Sequence, residues 1–530
     1  MAAAPHDGFA QLVHAEWTKL CTVRGWLVGL LVAVVLTIGI GLLGPLGSQI
    51  ACARADGSGG KCAVQSPPRG PDGREVVDDK AIAYRSLSGD GSITARLTDF
   101  GGRYAPDGDL QAGMVDGLQP WSKAGILIKD GTTPGSAYAA VLATGAHGVR
   151  MQYDYVHDLA GLPGLPSAAA PRWLRLTRVG DQLTGSDSAD GRTWTVIGTA
   201  HLANLPPEVV VGVFAASPQH EVIKSSFGGT TSDSGPTTAT GTFDRIAVTG
   251  QSPGDWTTPA TGPAAGSGPG AAGRSQSQGG LGPKQSASAV RNSADSFPVT
   301  GSGDIAPWAV AEGSGKTPAS ALAGTFAGLI AVIVVAALTM TAEYRRGLIR
   351  SSLAASPRRG RLLAAKATVL GGASFVTGLV AAAVAVPAVA ALEHHKNLYV
   401  FHASAQTQLR IIVGTAALLA VAAVLALAVG TIVRRGAAAV AAVIVVIVLP
   451  YILAVASVLP AGAAQWLTRL TPAAAFAIQQ TVTAWPQVTA VYTPTNGYFP
   501  LSPWAGLAVL CLYAAAAYGL AHWLLLRRDA

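Results

Sequence analysis

Residues 343–366 read EYRRGLIRSSLAASPRRGRLLAAK, and the chain on either side, 320–342 and 367–392, is apolar. About 20 mostly apolar residues suffice to cross a bilayer as a helix. A short arginine-rich stretch between two such runs marks the side of a membrane on which Lys and Arg collect. Working outward, four more runs of that kind appear, at 26–46, 409–433, 437–459 and 503–526, and none of the six carries a charge near its middle. They are rich in Ala, Gly, Val and Leu, and small residues let helices pack closely in lipid. The composition agrees: of 530 residues, 50% are hydrophobic and 12% charged, with a mean hydropathy of +0.38. Soluble domains carry about 25% charged residues. An ordinary soluble enzyme and a disordered chain are both excluded. The expected fold is a membrane all-α bundle of six helices interrupted by an inserted all-β sandwich.

The basic residues orient the helices. With the N-terminus in the cytoplasm, the inner segments hold 13 Lys and Arg, and the short outer loops hold three, Lys396, Arg410 and Arg469. Both termini are therefore expected in the cytoplasm, in a multi-pass protein of the cell membrane. Segment 48–319 then lies outside, with 21 basic and 24 acidic residues, while the rest of the chain has a net charge of +11. The overall +8 thus reflects topology and attraction to lipid headgroups, not a nucleic-acid partner. The first apolar run exceeds the roughly 7–15 residues of a signal-peptide core. Cys52 follows Gln49-Ile50-Ala51, a poor lipoprotein cleavage site. The run is read as a retained helix.

The domain boundaries follow. Residues 1–25 form a cytoplasmic interface helix, with Phe9, Leu12, Val13, Trp17, Leu20 and Cys21 on one helical face. Trp17 sits at headgroup depth, and Lys19 and Arg24 reach anionic lipid. Residues 26–47 are the first membrane helix. Residues 48–250 are an extracellular β domain with an N-terminal loop. Alternating runs such as Ile93-Ala95-Leu97 and Val209-Val211-Val213, separated by Asp130-Gly131, Gly180-Asp181 and Asp190-Gly191, set short strands with polar outer faces. Residues 251–318, dense in Gly, Ser and Pro, are a flexible linker. Residues 319–530 hold helices two to six and the coupling hairpin 343–366. Cys52 and Cys62 lie in the exported region, where disulfides persist, and are expected to pair. Cys21 and Cys511 are expected as free thiols.

Chemical motifs are scarce. Gly313-Ser314-Gly315-Lys316-Thr317 resembles part of a phosphate loop, but Val310 stands where that pattern needs its first Gly. The chain is expected to bind no cofactor and no metal and to have no ATPase or other enzymatic activity of its own. Glu393-His394-His395 reads as a solvated outer cluster. In the hairpin, Leu348, Ile349 and Leu353 form one apolar face, and Pro357 ends that helix.

Several of these stretches carry a resemblance. Glu343-Tyr344-Arg345-Arg346-Gly347, then Ala354-Ala355-Ser356-Pro357-Arg358-Arg359 and Lys366, look like the ABC-2-type transporter permease family in its bacterial, actinobacterial-like form. So do Ala15-Glu16-Trp17-Thr18-Lys19-Leu20, Leu470-Thr471-Pro472-Ala473 and the ending Leu524-Leu525-Leu526-Arg527-Arg528-Asp529. The resemblance spans 1–50 and 319–530. It implies an exporter half: six helices, pairing with a second permease copy or a paralogue, and a separate ABC ATPase subunit that supplies ATP and Mg. Carried onto this chain, Glu16, Trp17 and Lys19 and, in the hairpin, Glu343, Tyr344, Arg345, Arg346, Gly347, Arg350, Pro357, Arg358 and Arg359 would couple to that ATPase. Glu343 would pair with a basic residue of it or cap the hairpin helix. The resemblance also implies an outer re-entrant segment over 460–500. The inserted segment resembles a concanavalin- or laminin-G-like jelly-roll sandwich, on Trp121–Ile128, Trp173–Arg178, Ser188–Trp194 and Val211-Gly212-Val213. Such domains often bind glycans, which makes Trp121, Trp173 and Trp194 candidate contacts to an extracellular glycan, although core positions are the preferred reading for them. A membrane-anchored, lectin-like receptor is the alternative function.

Overall fold

The computed structural model describes residues 8–47, 51–53, 59–61, 66–106, 113–226, 229–258, 288–289, 297–309, 316–345, 359–396, 398–456, 458–490, 492–494 and 497–527. Its helices are α1 (Phe9–Thr22), α2 (Arg24–Gly47), α3 (Thr325–Arg345), α4 (Arg359–His395), α5 (Ala405–Val433), α6 (Gly436–Val455), α7 (Ala461–Leu470) and α8 (Pro503–Arg527). Six of them, α2 to α6 and α8, are long and apolar enough to cross a membrane. Each covers one of the apolar runs. The third begins well before its run, because Leu362 and Leu363 are buried and carry α4 back to Arg359.

Helix α5 is the centre of the bundle, with Leu418, Leu419, Ala422, Ala423 and Ala426 all buried among α3, α4 and α8. Small residues allow the contacts to be close. A Cβ on Gly506 of α8 would lie 2.2 Å from the carbonyl oxygen of Ala474. Ala474 belongs to a 3-10 segment, Pro472–Gln479, whose every residue is buried. The amide of Gln479 donates to the hydroxyls of Thr325 and Thr415, each at 3.0 Å. Helix α6 widens to a π turn over Ile444–Val448. Pro450 follows, and without an N–H it cannot bond to the carbonyl four residues back, so the wide turn absorbs the mismatch. Large apolar side chains face outward from the bundle: Leu27, Leu31 and Val35 on α2, Val376 and Val380 on α4, and Leu512 and Leu520 on α8 are all exposed.

The β unit follows α2. Strands β1 (Ala51–Ala53) and β2 (Gly59–Lys61) form a small hairpin that places Cys52 opposite Gly60. Cys62 lies outside the described residues, and the expected disulfide with it. Next come β3 (Val76–Asp78), β4 (Ala81–Tyr104), β5 (Val115–Asp116), β6 (Lys123–Lys129), β7 (Tyr138–Thr144), β8 (Val149–Tyr153) and β9 (His157–Ala160). They are followed by β10 (Arg172–Val179), β11 (Gln182–Ser188), β12 (Thr195–His201), β13 (Glu208–Ala216), β14 (His220–Ser226), β15 (Gly229–Gly235) and β16 (Thr237–Gln251). The main sheet is antiparallel and runs β12-β11-β10-β4-β13-β6-β7-β8-β9. It curls on itself, so Gly185 of β11 faces Met151 and Val141, and Gly198 of β12 faces Leu159. The 24-residue β4 makes the corner. Its first part pairs with β13 and its second with β10. Between them Gly89 has φ +67, and a Cβ on Gly91 would lie 2.2 Å from the Thr249 carbonyl, so the bend needs both glycines.

Two expectations change here. Residues 251–318, expected as a flexible linker, contain three strands: β17 (Ser288–Ala289), β18 (Phe297–Gly301) and β19 (Ile305–Pro307). Strand β18 pairs with β16, and β19 pairs with β3. Phe297 and Val299 enter the core. The buried Lys123 ammonium binds the Asp304 carboxylate and, at 2.9 Å, the Ile305 carbonyl. A composition of Gly, Ser and Pro hid a short alternating strand. The outer faces of β6 and β7 are also not polar: both strands are buried on both sides. Val76, Ile305 and Tyr155 cover Leu127, Tyr138 and Leu142, so these strands read as continuous apolar runs. Asp78 fastens this cover. Its carboxylate accepts from Gly135 N at 2.8 Å and Tyr155 Oη at 2.9 Å and pairs with Lys80 and Lys129. Burial alone would raise its pKa, but Lys80 and Lys129 hold it down at about 2.

The β unit rests on the bundle end through the 398–402 loop and the 480s. Glu75 Oε1 accepts from Tyr399 Oη at 2.8 Å and His402 N at 2.9 Å. Gln487 donates to the Val156 carbonyl at 3.1 Å, and the Arg74 guanidinium stands 5.5 Å from the Trp485 ring centre. Lys316, from the phosphate-loop-like stretch, is a backbone partner of this loop: its N donates to Tyr399 O at 2.8 Å. Residues 313–315 lie outside the described residues. Glu393 is not a solvated loop residue. Helix α4 runs through it, it is buried, and Lys316 and Ser320 face it.

Candidate functional site

At the opposite, arginine-rich end, α1 lies across the ends of α3 and α4. Its buried side is Glu16 and Leu20, with Leu12 and Val13 half-buried. Phe9, Trp17 and Cys21, expected on the same apolar face, are exposed. The helix is rotated from the expected setting because a charge, Glu16, occupies the centre of its contact. That setting leaves Trp17, 49% exposed, at the outer flank.

Glu16 is buried because it has partners. Lys366 Nζ lies 2.7 Å from Glu16 Oε2 and 2.6 Å from Glu343 Oε1. Lys19 Nζ lies 2.7 Å from Glu16 Oε1 and 3.6 Å from Glu343 Oε1. The four side chains alternate in sign and join three helices, α1, α3 and α4. Side-chain exposure is 4% for Lys366, 8% for Glu16, 12% for Glu343 and 48% for Lys19. Charges this buried are tolerable only when paired and hydrogen-bonded. Burial alone pushes the Glu16 carboxyl up, but Lys366 and Lys19 more than offset this and hold it below its usual range. For Lys19, burial lowers and Glu16 then raises, with a net rise. An apolar collar of Leu20, Met340, Leu363, Val369 and Leu370 closes over the group. Glu343 is thus paired within the chain through Oε1, while its Oε2 is buried with no hydrogen-bond partner among the described residues. Helix α3 runs past Glu343 to Arg345, and the hairpin helix that Glu343 is expected to cap lies outside the described residues.

Beside this ionic group is a cavity of about 900 Å³, between α1, α3, α4 and the α5–α6 corner. Arg434 turns that corner with φ +60 in the left-handed region. Its guanidinium stands 4.9 Å from the ring centre of Tyr344, which also lines the cavity. Arg345 ends α3 on the cavity wall. Arg359 opens α4, and its Nη1 donates to the Leu525 carbonyl at 2.9 Å, tying α4 to the last turn of α8. Arg346, Gly347, Arg350, Pro357 and Arg358 lie outside the described residues. Of the coupling set, the structure therefore brings together Glu16, Lys19, Glu343, Tyr344 and Arg345, and leaves Trp17 and Arg359 apart from the ionic group.

Sequence reasoning placed Lys366 at the foot of the hairpin and did not see it as the hub. It also missed Arg434, Arg435 and Trp26 on the cavity wall. The available signal was a lone Lys and a lone Glu beside apolar runs, since unpaired charges there are costly.

The three tryptophans of the β unit separate. Trp121 is buried and stacks on His147 at 4.0 Å. Trp173 and Trp194 are half-buried on the outward sheet face and not in the core, so the core reading fails for them. Arg96 and Arg245 each stand 5.7 Å from the Trp173 ring, and Arg175 stands 3.7 Å from the Trp194 ring. Among the described residues, no group of three or more His, Cys, Asp or Glu side chains is placed to hold a metal ion.

No family model and no curated protein matches the chain. Among solved structures, similarity is found to SCP-B, a member of the Eqolisin family of peptidases in complex with the tripeptide Ala-Ile-His, at 7% identity and TM-score 0.25, covering 43% of this chain and 98% of that one. Scytalido-glutamic peptidase with a transition state analog inhibitor is similar at 9% identity and TM-score 0.26, covering 42% and 98%. A functionally unknown protein from Saccharomyces cerevisiae is similar at 14% identity and TM-score 0.21, covering 36% and 84%. Similarities at these TM-scores carry no argument about fold or activity.

Proposed function

We propose that the chain is the membrane-spanning subunit of an ATP-driven exporter of the ABC-2 permease type, working with a separate ATP-hydrolysing subunit and a second permease copy or paralogue. In this reading α2 to α6 and α8 cross the cell membrane. The arginine-rich end and both termini face the cytoplasm, and the β unit, a concanavalin-like sandwich, faces outward. The observation that carries it is the buried group Glu16–Lys19–Glu343–Lys366. It fixes the N-terminal interface helix to both roots of the 343–366 elbow. A push on either element therefore moves α3 and α4 together, and α4 spans the bundle as far as Glu75's partners in the 398–402 loop. The power comes from outside the chain, whose only phosphate-loop-like stretch runs into a loop contact at Lys316.

The test is reconstitution in liposomes with a candidate ABC ATPase subunit from the same cell. The two are expected to co-purify, and Glu343→Arg is expected to lower coupled ATP hydrolysis about tenfold, some 1.4 kcal/mol of lost coupling. An ATPase that fails to associate, or an unchanged rate in the variant, would overturn the reading. The lectin-like alternative is favoured by one observation, the outward Trp173 and Trp194. Both rings, however, are already faced by the chain's own arginines.

A further inference from the structure

The cavity beside the ionic group has two unlike surfaces. Part of its wall is apolar, from Trp26, Leu338, Val369 and Leu370. Another part is cationic. Lys19 and Lys366 are matched by Glu16 and Glu343. Arg345, Arg434 and Arg435 have no carboxylate partner among the described residues, although all three line the cavity. Arg434 Nε is buried and has no hydrogen-bond partner among them. The N-terminus of α6 also opens here, at Gly436, and its cap residue Arg435 offers no side-chain acceptor to the first amides. The first turn therefore adds unsatisfied N–H groups to the positive charge. Val23 and Trp26 continue the wall onto the exposed apolar flank of α2 at Leu27, Val28 and Leu31.

A soluble anion would use the arginines and leave the apolar wall wet. A neutral apolar ligand would leave the buried Arg434 Nε without an acceptor among the described residues. An amphiphile with an anionic head satisfies both surfaces, and about 900 Å³ is within the range of small-ligand sites. Basic pockets between membrane helices on the cytoplasmic side suit acidic lipid headgroups. We propose that this cavity binds one anionic phospholipid, its phosphate held by Arg345, Arg434 and Arg435 and its upper acyl chain against Trp26, Val369 and Leu370. The bound headgroup joins the end of α3 to the α5–α6 corner, next to the Glu16–Lys366 contact. The inference rests on the membrane placement proposed above and is independent of any ATPase.

The test uses the full chain alone in phosphatidylcholine vesicles that contain trace spin-labelled phosphatidylglycerol or, separately, spin-labelled phosphatidylcholine. The fraction of label immobilised by the protein is measured. Wild type is expected to hold phosphatidylglycerol at least tenfold more tightly than phosphatidylcholine. Arg434→Gln and Arg435→Gln are each expected to lower that preference about fivefold. Arg527→Gln, a cation at the same end but on α8 and outside the cavity, is expected to leave it unchanged. Equal retention of both lipids by wild type overturns the proposal whether or not any variant folds. So does a preference that survives in Arg434→Gln/Arg435→Gln, or one that falls equally in Arg527→Gln. Displacement of the labelled lipid by millimolar inorganic phosphate would assign the site to a free anion and likewise overturn it. Because no ATPase is present, failure of the exporter reading leaves these outcomes intact.

Discussion

Lys366 is a cation with almost no access to water, held by two carboxylates from two other helices. Removing it strands both. Breaking a buried ion pair from one side costs about 3–5 kcal/mol, because a charge is left without its partner. Lys366→Met is expected to lose that much stability, read as a lower midpoint of unfolding in detergent. Glu16→Gln/Glu343→Gln/Lys366→Met is expected to recover most of it, since the only charge then left in the site is Lys19, which is half-exposed and can reach water. Lys19→Met, at a half-exposed position, is expected to cost less than about 1 kcal/mol. If Lys366→Met unfolds with the wild-type midpoint, the ionic group does not hold these helices.

At the scale of elements, Glu75 and Gln487 each join the β unit to the bundle by two hydrogen bonds among the described residues. Glu75 is buried, and one oxygen serves both the Tyr399 hydroxyl and the His402 amide. Burial and then the Glu75 carboxylate push the Tyr399 hydroxyl up to about 12, so it stays a donor throughout the neutral range. Glu75→Ala leaves a hydroxyl and an amide unpaired, each costing about 1–3 kcal/mol when buried. The expected result is faster hydrogen exchange at the amides of residues 398–402, with exchange in β6 and β7 unchanged. Those two strands are covered by β3 and β19 and do not depend on the loop. Exchange at 398–402 that stays slow would show that other contacts fix the two units.

For the whole molecule, the decisive question is which end faces the cytoplasm. Cys21 is exposed on α1 at the arginine-rich end. With Cys21 as the sole cysteine, a membrane-impermeant maleimide is expected to react only after the cells are permeabilised. Thr193→Cys, placed in that background on an exposed turn of the β unit, is expected to react in intact cells. Labelling of Cys21 in intact cells would reverse the orientation and remove the basis for a cytoplasmic motor.

The six apolar helices were legible in the sequence because hydropathy is a sum over about 20 consecutive residues, and position within the fold hardly alters it. Alternating runs such as Ile93-Ala95-Leu97 announced strands for a similar reason: a period of two is a local property. The return strand at 297–301 was not legible, because five residues amid a Gly- and Ser-rich stretch carry too little pattern. Nor could local pattern rotate α1 so that Glu16, instead of Trp17, faces the bundle. Glu16 and Lys366 are 350 residues apart in the chain. A charge beside an apolar helix says only that some partner must exist. Which partner it finds, and which arginines around a cavity lack a carboxylate partner among the described residues, is decided when the helices pack, because pairing energies depend on distances of a few ångströms that no local stretch of chain encodes.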